Sequence, residues 1–205
     1  MPTRERWQAT WSGLGLMPPQ GLYEQLCLRY GEAHRAYHTL QHLKECFSHF
    51  DHARHLATHP FEVEVSLWFH DAIYEPRASD SEEQSAAWAV QALTGAHAAP
   101  GQIDRVSGLI LATKHASAEG SADQAVLLDT DLSILGAPRP RFLEYESQVR
   151  REYSWVPEEA FRTARAAILA RFIARPRIYA TEYFFELLEA PARANLRYSL
   201  DRLGA

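Results

Sequence analysis

The chain has 205 residues, 46% apolar and 11% aromatic, which is enough for a substantial core and excludes a disordered chain. Its net charge of −5, from 21 basic and 26 acidic residues, offers no basic field for a nucleic-acid polymer. The two cysteines, Cys27 and Cys46, make neither a disulfide framework nor a zinc-type cluster by spacing, which suits a reducing compartment. Met1-Pro2-Thr3-Arg4-Glu5-Arg6-Trp7 lacks the apolar core of a signal peptide, and no run reaches the roughly 18 apolar residues that span a bilayer. A cytoplasmic protein with no membrane partner is expected.

Helical periodicity dominates from the N-terminus onward. Leu22, Leu26 and Tyr30 share one helical face, and Tyr37, Leu40, Leu43 and Phe47 share another. Ile103, Val106, Ile110 and Leu111 make a third stripe, and Phe161, Ala164, Ile168 and Phe172 a fourth. No run alternates apolar and polar residues as a half-buried strand would. Pro18-Pro19, Pro60, Pro76, Pro100-Gly101, Gly120, Gly136 to Pro140, Pro157 and Pro176 punctuate the stripes. Ser79 or Asp80 ahead of Glu82 and Glu83 reads as a helix start, as does Pro157 with Glu158-Glu159. The expectation is an all-α fold of roughly nine or ten short helices in a single domain over 1–205. Trp11, Trp155 and Tyr183 are expected on exposed faces, where they could support an oligomer contact.

Eight of the ten histidines lie between His34 and His70, a density that singles out this segment. His34, His38 and His42 at i, i+4 and i+8 would share one helical face. That face could present His38 and His42 to the adjacent pair His70-Asp71, which ends the apolar run Val65 to Phe69. Imidazole nitrogens and a carboxylate oxygen converging in this way suit a divalent ion. His49, His52, His55 and His59 fall in a polar stretch and read as surface residues. Downstream, the stripe from Ile103 ends at Thr113-Lys114-His115, a cation and an imidazole together. Asp129 and Asp131 sit inside the apolar run Val126 to Gly136, and a buried aspartate is costly unless paired or bound to a metal. Either could serve.

The order His42, His70-Asp71, Asp131 resembles the H…HD…D arrangement of the HD-domain superfamily of metal-dependent phosphohydrolases. Tyr37-His38-Thr39-Leu40-Gln41-His42 is similar to the Tyr-His-Asn-x-x-His segment of cyclic-nucleotide phosphodiesterases in that superfamily. Arg35 to His38, Trp68 to Tyr74, Glu82 to Ala86 and Asp129 to Gly136 resemble a bacterial group of predicted HD phosphohydrolases. The likeness extends to Gln148 to Tyr153 and Ala192 to Leu196.

The resemblance implies a helical HD-type domain with its metal-site core over about 30–136 and C-terminal helices over 138–205. It implies that His42, His70, Asp71 and Asp131 hold one or two divalent ions, with Mg, Mn, Fe, Zn, Co and Ni undistinguished. His38 would donate a proton to the leaving oxygen, and His115 would serve a second metal or the phosphate. Asp71 would orient the attacking water or bridge two ions. Lys114, Arg35 and Arg150 are candidates to neutralise phosphate. Glu82 and Glu83 are candidates to hydrogen-bond a ligating histidine. The expected reaction is hydrolysis of a phosphoester in a nucleotide or similar small phosphorylated metabolite. A di-iron oxygenase on the HD fold and a non-catalytic nucleotide- or partner-binding module are the alternatives.

Overall fold

A computed structural model describes residues 2–114 and 120–204. Ten α-helices and two short 3-10 turns account for the regular structure, and no strand occurs among the described residues. The chain divides into two units, residues 1–130 and 131–205, so the division falls inside the expected 30–136 site core. No helix is long and apolar enough to cross a membrane among the described residues.

The first unit holds α1 (Arg4–Gly13), α2 (Leu22–Tyr30), α3 (Leu40–Ala53), α4 (Pro60–Phe69), α5 (Ser81–Gly95), α6 (Pro100–Ala112) and α7 (Ala122–Asp131), the last ending on the first residue of the second unit. A 3-10 turn, Arg54–Leu56, follows α3. The sequence of α4 has no polar face, and every residue from Glu62 to Phe69 is buried. A helix whose apolar residues fall on every side must be surrounded. It packs against α1, α3, α5 and α6.

Pro60 opens α4, where its missing N–H costs nothing. The two acids of α4, Glu62 and Glu64, are each only 4% exposed and need partners. Arg105 of α6 grips Glu62 with two hydrogen bonds of 2.6 and 2.7 Å. Arg6 of α1 meets Glu64 at 2.6 Å, and Arg54 pairs with the same carboxylate. Two buried charges thus tie the central helix to its neighbours.

Aromatic packing closes the other side. Trp7 meets Trp68 edge-on at 5.2 Å between centroids and Trp11 at 5.3 Å, while Phe47 lies 4.8 Å from Trp68. Trp11 is fully buried in this cluster, contrary to the expected exposed face. Trp155 is exposed and Tyr183 half-buried. The stripe of α2 is buried as expected at Leu22, Leu26 and Tyr30. In α6 the buried set is Val106, Leu109 and Ile110, with Leu111 turned outward. The i, i+3, i+4 spacing of those three defines the face, and Leu111 falls a further 100° round it.

His34, His38 and His42 do not share a helix. Thr39 adopts extended backbone and its hydroxyl accepts the Gln41 N–H at 3.2 Å, so α3 starts at Leu40. A capping threonine satisfies a helix-end N–H and fixes the boundary there. His34 and His38 lie in the preceding turns, and His34 Nε2 is 2.8 Å from the Tyr74 carbonyl.

The second unit holds a 3-10 turn, Leu132–Gly136, followed by α8 (Arg139–Glu152), α9 (Glu158–Ala174) and α10 (Glu182–Leu203). α10 packs on α9 and on the 3-10 turn. A Cβ on Gly136 would stand 2.7 Å from Leu188 Cβ and 2.9 Å from its carbonyl oxygen, so the turn needs glycine to approach α10. Asn195 of α10 donates to the Leu135 and Ala137 carbonyls at 2.9 and 2.8 Å. The expected stripe of α9 is not its buried face: Arg165 and Leu169 are buried, Ala164 and Ile168 exposed, and Phe161 and Phe172 half-buried. The Arg165 guanidinium donates to the Tyr145 hydroxyl at 2.7 Å and pairs with Glu146, and those partners let a cation face inward.

Candidate metal centre

His70 caps the C-terminal end of α4, held there by its N–H on the Ser66 carbonyl at 2.8 Å. Its Nδ1 lies 2.8 Å from the Leu67 carbonyl. A carbonyl only accepts, so Nδ1 carries the proton and donates, and Nε2 is the ring nitrogen turned to the cluster. That Nε2 stands 3.1 Å from His42 Nε2 and 3.1 Å from Asp71 Oδ2, and His42 Nε2 is 3.4 Å from the same oxygen. Three ligand atoms each about 2.1 Å from one ion stand about 3.0 Å apart in an octahedral arrangement and about 3.4 Å apart in a tetrahedral one. The triangle fits a common divalent ion.

His42 sits in the first turn of α3, so the Thr39 cap that starts the helix also sets the position of this imidazole. At the end of α7, Asp131 joins the cluster. His42, Cys46, His70 and Asp131 offer ligand atoms that all lie within 4.8 Å of one another. Asp131 is therefore the member of the Asp129/Asp131 pair that reaches the centre. Asp129, two residues earlier and about 200° round the helix, is buried outside this group.

Cys46 is the residue that sequence reasoning missed. It is 1% exposed and its Sγ lies 3.6 Å from both ring nitrogens of His42. The signal was present in the sequence: Cys46 follows His42 at i+4, one turn along the same face. Spacing between the two cysteines concealed it.

The segment carrying Asp71 is held from two sides. Arg35, whose side chain is fully buried, donates to the carbonyls of Asp71 at 2.7 Å, Ala72 at 3.0 Å and His38 at 3.1 Å. Its Nε meets Glu32 at 3.1 Å. The Ser85 hydroxyl accepts the Ile73 N–H at 3.0 Å and donates to the Ile73 carbonyl at 3.2 Å. Burial pushes the Asp71 carboxyl up, but the neighbouring His70, His38 and His42 outweigh this and hold it well below the usual carboxylate range. The group stays an anion, as a metal ligand must. Tyr30 beneath it donates to the Trp68 carbonyl at 3.1 Å, and burial pushes its hydroxyl to about 12, so it stays neutral.

His38 is half-buried, stacked on Tyr74 with centroids 3.9 Å apart and edge-on to Tyr37 at 4.9 Å. Its ring lies 6.0 Å from that of His42, beside the ligands and outside their triangle. The expected phosphate contacts are placed differently. The Arg35 guanidinium is engaged by backbone carbonyls, so it positions the site from beneath. Arg150 donates to Glu158 at 2.9 Å, to the Tyr153 carbonyl at 2.6 Å and to the Val156 carbonyl at 3.1 Å, closing the turn after α8. Lys114 donates to the Ser79 carbonyl at 2.6 Å and pairs with Glu83. That pair joins the end of α6 to the start of α5 and gives Glu83 a lysine partner. Glu82 is half-buried in the first turn of α5. His115 lies outside the described residues.

The remaining histidines of the 34–70 segment stay out of the cluster. His52 Nδ1 lies 2.9 Å from the Ser48 carbonyl, and burial lowers the pKa of His49. His59 is bound through its backbone N–H and Nδ1 to Asp123 at 2.9 and 2.8 Å.

A centre of two imidazoles, one or two carboxylates and a thiol, set at the end of a buried helix, is suited to holding a transition-metal or alkaline-earth ion. Comparison of the chain with family models, with curated proteins and with solved structures finds no match.

Proposed function

We propose that this chain is a metal-dependent phosphohydrolase of the HD type, cleaving a phosphoester in a nucleotide or similar small metabolite. The observation that supports it is the His42, His70 and Asp71 triangle, with the His70 tautomer fixed by the Leu67 carbonyl. A divalent ion bound there would supply Lewis acidity toward a phosphoryl oxygen and acidify a water. The chain's own groups divide the remaining work. His42 and His70 would offer their Nε2 atoms to the ion, and Asp71 and Asp131 carboxylate oxygens. Arg35 holds the Asp71 carbonyl and Ser85 the backbone of Ile73 two residues on, which would orient the carboxylate in advance.

His38 stands beside this set with its ring supported on Tyr74. In hydrolysis, water oxygen bonds to phosphorus as the ester P–O bond breaks, and the leaving oxygen needs a proton. His38, whose ring lies 6.0 Å from that of His42, would act as the acid that supplies it.

The test is elemental analysis of the purified protein, followed by a phosphatase and phosphodiesterase panel with Mg²⁺, Mn²⁺, Fe²⁺ and Co²⁺ added separately. Turnover is expected to require metal, and Asp71→Ala is expected to lose both bound metal and turnover. Hydrolysis that persists in metal-free protein would overturn the assignment.

A further inference from the structure

Cys46 has no part in the hydrolytic reading, yet it sits against a metal ligand. It is buried, follows His42 by one helical turn on α3, and belongs with His42, His70 and Asp131 to a set of ligand atoms within 4.8 Å of each other. Its Sγ is equidistant, at 3.6 Å, from the two ring nitrogens of His42. A histidine and a cysteine four residues apart on one helix project side by side and can take the same ion.

We propose that Cys46 is a thiolate ligand of this centre, and that the centre consequently takes a borderline transition-metal ion such as Zn²⁺, Fe²⁺ or Co²⁺ in preference to Mg²⁺. Magnesium demands near-octahedral oxygen donors and keeps its waters. Two imidazole nitrogens and a sulfur offer it little, whereas nitrogen and sulfur donors together suit zinc and its neighbours. On binding, the S–H bond of Cys46 breaks, its proton leaves to solvent, and a sulfur–metal bond forms. The ion's charge is then offset by one more unit inside a buried site. A core cysteine that only filled space would pack among aliphatic groups; this one faces ligand atoms.

The inference rests on the metal centre of the preceding reading but not on phosphoester hydrolysis, so the two fail separately. The test is titration of metal-free full-length protein with Co²⁺ without oxygen, followed by absorbance. A thiolate-to-cobalt charge-transfer band in the near-ultraviolet is expected in the wild type, lost in Cys46→Ser and retained in Cys27→Ser. In competition experiments Zn²⁺ affinity should fall at least about tenfold in Cys46→Ser, while Mg²⁺ binding changes less than about twofold. Absence of the band in wild-type protein overturns the proposal without reference to any variant. So does a band that survives Cys46→Ser or that depends on Cys27. A cobalt–thiolate band in a protein that hydrolyses no phosphoester would leave this inference standing and remove the hydrolytic one.

Discussion

The Arg35 guanidinium donates to three backbone carbonyls, those of His38, Asp71 and Ala72, and touches no ligand atom. It stacks over Tyr30 and Tyr74 at 5.3 and 5.6 Å from their ring centroids. A planar fork with five donors can satisfy such a fan of acceptors, and an ammonium cannot. Arg35→Lys is therefore expected to leave at least one buried carbonyl unpaired, lowering unfolding free energy by about 2 kcal/mol or more. Metal affinity should fall about tenfold as the Asp71 segment loosens. Urea unfolding and metal titration of the same variant check both, and unchanged values would mean that the guanidinium does not hold the segment. The sequence showed an arginine beside the histidines and suggested a phosphate contact. Only its burial turned it from a substrate group into a clamp, because four of its five donors are spent on Glu32 and on the carbonyls of His38, Asp71 and Ala72.

At the scale of elements, α4 governs what the site can be. Its lack of a polar face buries it among α1, α3, α5 and α6, and its C-terminal end brings His70 and Asp71 to the first turn of α3. Glu62 and Glu64 make that burial conditional on arginines from α1, α6 and the 3-10 turn after α3. Arg105→Met removes the partner of Glu62 and leaves a carboxylate in the core. Because Arg105 is itself 44% exposed, the expected loss is on the order of 2 kcal/mol, below that of a fully buried pair. Adding Glu62→Gln to Arg105→Met should restore most of it. Denaturant melts of the single and double variants measure both, and a double variant no more stable than the single would show that the charge is not the cause. The partners of these acids are as many as 58 residues away in sequence, at Arg6 for Glu64, so no local pattern announces the pairing.

For the whole molecule, the candidate metal centre draws on residues distant in sequence, and an ion bound only by the folded chain would stabilise that chain. At a free metal concentration of about 100 times its dissociation constant the gain is about 2.7 kcal/mol. For a chain of this length each kcal/mol moves the melting temperature by about 2–4 °C, so removing the metal with a chelator should lower it by about 5–10 °C. Scanning calorimetry of metal-loaded and chelated protein tests this, with His70→Ala expected to show no difference between the two. An equal drop in His70→Ala would place the stabilising ion elsewhere.

The amino-acid sequence by itself determined that the fold is helical, through stripes such as Leu22, Leu26 and Tyr30, and it set His70 beside Asp71 at the end of an apolar run, while the set of His42, His70, Asp71 and Asp131 came from the family resemblance. Periodicity and adjacency are local rules, written along the chain. It could not determine which face of α9 is buried, because that depends on whether Arg165 finds Tyr145 and Glu146. Nor could it separate Asp129 from Asp131, or bring Cys46 to the imidazole of His42 as a candidate ligand. The helical reading of His34, His38 and His42 failed for a related reason: the Thr39 cap ends one local pattern and begins another, and periodicity alone does not register a cap. Tertiary structure settled these points because burial, pairing and ligand convergence depend on distances between elements, and no local pattern encodes those distances.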